Sequence, residues 1–168
     1  MISAAPAFCS VCGNPLTTRF LPEEGRERQV CDMCGHIHYV NPLLVAGVIP
    51  VSHGRIWLLR RAIEPRVGYW TFPAGYMELG ETVEEAAERE TREELNMSVR
   101  LVRLLTVYSR SDLRTVHIVF VADVLSEASP GSEALECRLF ERDAIPWDDL
   151  AFSSTHAALS AWVADPTA

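Results

Sequence analysis

The 168-residue sequence predicts an α/β fold preceded by a small cysteine-anchored unit. Three observations carry that expectation. Two Cys-x2-Cys pairs lie near the N-terminus; apolar runs of strand length surround one strongly amphipathic stretch; and a second helical stretch lies near the C-terminus.

Cys9-Ser10-Val11-Cys12 and Cys31-Asp32-Met33-Cys34 stand 18 residues apart, the spacing of a four-thiolate zinc ribbon. Gly13 and Gly35 follow the two pairs, as a tight turn around a metal requires. Tetrahedral coordination by Cys9, Cys12, Cys31 and Cys34 closes the site, so the zinc is expected to be structural. A pair of disulfides is the rival reading. His36 and His38 alternate with Ile37 and Tyr39 in an expected strand, where they pack or face solvent. Cys137 has no partner and reads as a small buried residue. The ribbon is assigned to residues 1–40 and the α/β domain to 41–168.

Residues 43–51 and 56–60 read as strands joined by Ser52-His53-Gly54, a hairpin-like signal. A loop with Pro65 and Gly68 leads to Trp70-Thr71-Phe72-Pro73-Ala74-Gly75. Its proline and glycine mark a loop that can bring carbonyls or amides close to a metal-bound phosphate. A helix over 82–95 follows. Strands at 99–108 and 115–125 flank the polar Ser109-Arg110-Ser111-Asp112 and are expected to be antiparallel. Ser129-Pro130-Gly131-Ser132 begins a loop, 137–140 suits a short strand, and Ser153 or Ser154 is expected to cap a last helix running through Trp162.

The helix over 82–95 carries the chemistry. At about 100° per residue, Val83, Ala86 and Ala87 share a face with Glu90, Glu93 and Glu94, so the inward stripe turns from methyl groups to carboxylates. Outward, Glu85 precedes Arg89 by four residues and Glu88 precedes Arg92 likewise, which predicts two supporting ion pairs. Three inward anions repel one another unless an opposite charge sits among them, and a divalent, oxygen-loving cation meets that need. A solvated acidic patch is the competing reading.

Gly75, five residues, Glu81, seven residues and Arg89-Glu90-Thr91-Arg92-Glu93-Glu94-Leu95-Asn96-Met97 together resemble the Nudix box, Gly-x5-Glu-x7-Arg-Glu-U-x-Glu-Glu-x-Gly-U with U aliphatic. Every charged position matches. Thr91 replaces an aliphatic residue, and Asn96 replaces the last glycine but tolerates the left-handed conformation that ends a helix. The resemblance implies a Nudix α/β/α sandwich with a mixed sheet, and a Mg²⁺- or Mn²⁺-dependent hydrolase of nucleoside diphosphate derivatives. It further implies that Glu90, Glu93 and Glu94 ligate the metal with help from the Gly75 carbonyl. A box glutamate pairs with the arginine in a structural role, and Arg89 orients the acidic cluster.

A carboxylate must take the proton of the attacking water. Glu94 can do so from the box; in some relatives the base lies on a later loop, where Glu133 and Glu136 stand and Glu136 carries more weight. For the nucleoside, Tyr69, Tyr76, Tyr108 and Trp147 offer aromatic faces, and Tyr76 is favoured because it follows Gly75.

Residues 133–140 and 145–154 look like the tail of zinc-ribbon Nudix proteins that include plant FAD and ADP-ribose pyrophosphatases. Residues 101–114 lack the Ser-Gln-Pro-Trp-Pro-Phe-Pro signature of NADH pyrophosphatases. The expected substrate is FAD, giving FMN and AMP, or ADP-ribose, giving AMP and ribose 5-phosphate. NADH or another dinucleotide is the alternative, and a non-catalytic nucleotide- or nucleic-acid-binding regulator is a further one.

Charge and composition agree. A net charge of −8 repels a pyrophosphate unless a cation bridges the two. In residues 1–40, Arg19, Arg26 and Arg28 face Glu23, Glu24, Glu27 and Asp32, a poor footprint for nucleic acid. The apolar run at 43–51 is too short to cross a bilayer, and the first residues lack an export signal, so no membrane partner and a cytoplasmic location are expected. The family resemblance adds a possible homodimer.

Overall fold

The structure, a computed structural model, describes residues 6–165. The chain divides between Pro42 and Leu43 into two compact units. The first is an antiparallel three-stranded sheet of β1 (Leu16–Leu21), β2 (Arg26–Cys31) and β3 (Ile37–His38), in that order. Among the described residues, its only buried apolar ones are Cys9, Val30 and Cys31. So small a core does not hold a sheet together by itself; a cross-link or metal must contribute.

The second unit is built on β4 (Leu43–Ser52), β5 (Arg55–Arg61), β6 (Trp70–Thr71), β7 (Ala74–Tyr76), α1 (Val83–Leu95), β8 (Val99–Ser109), β9 (Thr115–Val124), β10 (Ala134–Phe140) and α2 (Ser153–Ala164). The strand order is β10-β5-β4-β9-β8, with β6 on β5 and β7 on β4. β4 and β9 run parallel and the other pairs antiparallel, so the sheet is mixed. Alternate side chains leave opposite faces. Ile49, Leu58, Val119 and Val121 join Ala158, Leu159 and Trp162 of α2, while Val48, Leu59, Phe120 and Ala122 join Ala86, Ala87 and Leu95 of α1. The result is an α/β/α sandwich.

The turn at His53 and Gly54 has both φ angles positive (52° and 76°), the geometry that suits a two-residue hairpin. The hairpin itself is short. β4 and β5 pair only at Val51↔Ile56 and Ser52↔Arg55, then diverge, and the segment carrying β6 and β7 fills the wedge between them. β4 spends most of its length beside β9, from Leu43↔Thr115 to Val51↔Asp123, so it is buried on both faces and reads as a continuous apolar run.

Helix α1 begins with a reciprocal capping box. The Thr82 hydroxyl accepts from the Glu85 N–H at 3.2 Å, and the Glu85 carboxylate accepts from the Thr82 N–H at 2.7 Å. It ends at Asn96 in the left-handed conformation (φ 48°), as expected for a residue standing in for glycine. The buried Thr91 hydroxyl donates to the Ala87 carbonyl at 2.8 Å, which lets it occupy an aliphatic position without an orphaned polar atom.

Two local expectations are corrected. Glu85 is engaged in the cap and does not pair with Arg89, and no Glu88–Arg92 ion pair forms among the described residues. Neither Ser153 nor Ser154 caps α2: Phe152 occupies the cap position, and both serines lie in the first turn of the helix.

Candidate active site

Two backbone features bring the box together. The β6–β7 segment is pinned between β5 and β4, and its Ala74 N–H donates to the Glu94 carboxylate at 2.9 Å. Gly75 lies directly against Glu90: a Cβ on it would fall 2.2 Å from the Glu90 carboxyl carbon, so only glycine admits that approach.

Arg89 ties the remaining parts. It grips both oxygens of Glu81 at 2.8 and 3.0 Å, Glu90 at 2.6 Å, Glu93 at 3.3 Å and the Tyr76 carbonyl at 3.0 Å. This bidentate pair holds the Glu81 carboxyl down at about 2, helped by the Glu78 N–H. Burial acts the other way on the helix. It pushes Glu94 up to about 8 against the Ala74 hydrogen bond, and it raises Glu90 despite Arg89; the neighbouring Glu133 adds to both shifts.

The three box carboxylates open on a cleft of about 900 Å³. They are not equivalent. Glu94 is 5 % exposed, Glu90 is partly buried, and Glu93 is an exposed side chain whose only ion pair among the described residues is the long Arg89 contact. The inward stripe therefore runs through Ala87, Thr91, Glu94 and Leu95, with Glu90 and Glu93 at its edge. One Glu94 oxygen takes the Ala74 N–H while the other has no hydrogen-bond partner among the described residues. The oxygens of the three glutamates do not gather within 4.8 Å as the four cysteine sulfurs do, because the Arg89 guanidinium lies between Glu90 and Glu93; carboxylate oxygens on one cleft are nonetheless the ligand type that Mg²⁺ or Mn²⁺ takes.

Gly75 and Tyr76 also line the cleft, and Tyr76 is 57 % exposed. The other aromatic candidates are engaged elsewhere. Tyr69 lies under the Arg66 guanidinium, Tyr108 donates to the Ser153 hydroxyl at 3.1 Å, and Trp147 packs on His156 with centroids 5.0 Å apart. Glu136 is not on the cleft wall; it pairs with Arg60 at 3.2 Å and Arg138 at 3.1 Å. Glu133 is on the wall. A bulge in β10 between Ala134 and Glu136 interrupts the register there.

Several wall residues escaped the sequence reading: Arg61, His117, Phe152, Ser154 and Thr155. Arg61 lies on β5, His117 on β9 and the other three at the start of α2, three places far apart in the sequence. Burial lowers the His117 pKa, and the ring lies 3.0 Å from the Thr115 hydroxyl.

In the first unit, the Cys9 and Cys34 sulfurs lie 3.7 Å apart and those of Cys12 and Cys31 3.4 Å, with all four ligand atoms within 4.8 Å of one another. A tetrahedral zinc with Zn–S bonds of about 2.3 Å places its sulfurs roughly 3.8 Å apart, whereas a disulfide needs about 2.05 Å. The four thiols fit zinc and are not disulfide-bonded. The Gly13 and Gly35 N–H groups close matching turns onto the Cys9 and Cys31 carbonyls, both at 2.9 Å and with φ of 73°.

The NUDIX domain family matches residues 41–163, and the family described as Nudix N-terminal, a zinc ribbon, matches residues 7–40. The chain belongs to the Nudix family. It is a Nudix hydrolase with a Nudix-type ribbon ahead of its catalytic fold. A NUDIX hydrolase structure from Nitrosomonas europaea superposes with a TM-score of 0.90 at 40% identity, covering 96% of this chain and 93% of that one. An ADP-ribose pyrophosphatase of Methanocaldococcus jannaschii is 34% identical over 113 residues, 64% of this chain and 67% of the relative. An NAD-capped RNA hydrolase NudC of Chromobacterium violaceum is 29% identical over 153 residues, 89% of this chain and 55% of the relative. The chain thus spans about half the length of that NudC relative.

Proposed function

We propose that this Nudix hydrolase cleaves the pyrophosphate bond of a nucleoside diphosphate derivative, FAD or ADP-ribose, and releases AMP. The observation that carries the reading is the placement of Glu90, Glu93 and Glu94 on one cleft, with the Ala74 N–H bonded to Glu94 and Gly75 lying close against Glu90. A cleft of about 900 Å³ accommodates a dinucleotide-sized ligand.

Glu90, Glu93 and Glu94 would hold Mg²⁺ or Mn²⁺ with the Gly75 carbonyl. When bound, the cation neutralises phosphate charge and makes water a better nucleophile. Arg89 is a positioning residue, because every contact it makes is to the box itself. Water attacks one phosphorus, its proton passes to a carboxylate, and the bridging P–O bond breaks as the second phosphate leaves. With Glu136 engaged by two arginines, the proton acceptor is Glu133 or Glu94. Tyr76 offers an exposed ring for the nucleoside at the cleft edge.

A free nucleotide suits the site better than an RNA chain, since a protein of net charge −8 gives a trailing phosphate backbone little attraction. The relative named for ADP-ribose supports the same side; the relatives named for NAD-capped RNA define the second reading. No described helix is long and apolar enough to cross a membrane. Four reduced cysteines in a zinc-type cluster accord with a cytoplasmic location. Light scattering on the whole chain tests the homodimer expected from the family.

The deciding experiment is a product assay with Mg²⁺ or Mn²⁺ across FAD, ADP-ribose, NADH, dinucleoside polyphosphates and an NAD-capped oligonucleotide. FAD or ADP-ribose should give the highest kcat/KM, with AMP as a product. A tenfold preference for NADH or the capped oligonucleotide overturns the assignment.

A further inference from the structure

The wall of the cleft formed by α2 has no role in the scheme above. The backbone N–H groups of Ser153, Ser154 and Thr155 find no acceptor among the described residues, and no side chain caps the helix. Hydroxyls next to them are unequally engaged. Ser153 accepts from Tyr108 at 3.1 Å, and Thr155 shares a hydrogen bond with Thr71 at 3.1 Å. Ser154 is 5 % exposed, lines the cleft, and has no hydrogen-bond partner for its hydroxyl among the described residues. Its oxygen is not sealed from solvent but opens on the cleft, where a ligand acceptor can take the place of water.

Beside this turn lies a flat surface. Phe152, the residue before α2, lines the cleft, with the Arg61 guanidinium 5.1 Å from its ring centroid. Arg61 is itself fixed by the Pro65 carbonyl at 2.9 Å and the Ile63 carbonyl at 3.4 Å. A planar aromatic and a planar guanidinium, both held in place, form a stacking platform.

We propose that the first turn of α2, with Ser154 as its side-chain donor and the Arg61–Phe152 pair beside it, binds a flat, acceptor-rich heterocycle of the substrate. The subsite rests on the dinucleotide reading above and extends it by saying where a ring goes. Spacing supports the division of labour. Thr71 touches the α2 turn and Ala74 touches Glu94, and three residues of chain span at most about 11 Å. A diphosphate held at the carboxylates would thus place the ring it carries within reach of α2.

The test is calorimetric binding of AMP, FMN and ribose 5-phosphate to the whole chain in Mg²⁺, for the unaltered protein, Ser154→Ala and Phe152→Leu. At least one ring-bearing nucleotide should bind ten times more tightly than ribose 5-phosphate. Both substitutions should weaken it about tenfold while shifting ribose 5-phosphate less than twofold. Whether AMP or FMN responds identifies the ring. Equal weakening of all three ligands, or of none, overturns the subsite. Amide spectra give a second reading: the Ser153 and Ser154 N–H signals should move on titration, and signals that stay still while others shift also overturn it. Failure of the hydrolase reading appears separately, as absent turnover of every dinucleotide with mononucleotide binding intact.

Discussion

Gly75 sits beneath Glu90 so closely that a single added methyl group would overlap the carboxylate, 2.2 Å from its carbon. The clash is with the end of a flexible side chain, so Gly75→Ala should fold and shift Glu90 away. We expect kcat to fall at least a hundredfold while the melting temperature changes by only a few degrees. Steady-state kinetics beside thermal melting checks this, and full activity in Gly75→Ala would show that Glu90 need not hold its position.

Glu93 is exposed and weakly tethered, so its carboxylate matters to chemistry more than to folding. Glu93→Gln should lose several orders of magnitude in turnover with stability within about 0.5 kcal/mol of the unaltered protein. Urea denaturation together with the product assay measures both, and unchanged turnover would remove Glu93 from the reaction.

Glu94 makes stability depend on pH in a defined direction. Its folded pKa of about 8 lies above the ordinary carboxylate value of 4.5, so between those values the folded chain binds more protons than the unfolded one. Stability of the metal-free protein should therefore fall as pH rises from 5 to 8, by up to about 4 kcal/mol. Glu81, depressed to about 2, acts in another window: its contribution is present above 4.5 and is lost as pH falls toward 2. Melting curves in chelator across pH 5 to 8 should show the decline, Glu94→Gln should flatten it, and added Mg²⁺ should stabilise more at pH 8 than at pH 5. A flat profile in the unaltered protein would contradict the burial of that charge.

The ribbon unit has too few buried apolar residues to persist without its cross-link. Elemental analysis should find one zinc per chain. Cys31→Ser, or a strong chelator, should abolish hydrogen-exchange protection in β1 and β2 while β4 and β9 stay protected, because the sandwich has its own core. Retained protection in zinc-free β1 and β2 would show that the unit is stable on its own.

Some of the site was legible because it is local. Asn96 ends its own helix, and the two Cys-x2-Cys turns repeat one short geometry. Arg89 shows where local reasoning misleads: spacing of four residues suggested Glu85, but Glu81 reaches it from the loop and binds it with two oxygens. Glu136 likewise meets Arg60 across the β10–β5 pairing and Arg138 two residues on, while Glu133 lies on the cleft, an arrangement that no short spacing shows.

The sequence alone determined the box helix, its left-handed end at Asn96, the four thiolates and the family, since each depends on residues at fixed short spacing. Only the tertiary structure decided the rest. Long-range pairing of β4 with β9, and the wedge that admits the β6–β7 segment, set which carboxylate is buried. They also bring Ser154, Phe152 and Arg61 to the same cleft as Glu94. Contacts between distant segments depend on how whole strands and helices pack, which no short spacing encodes.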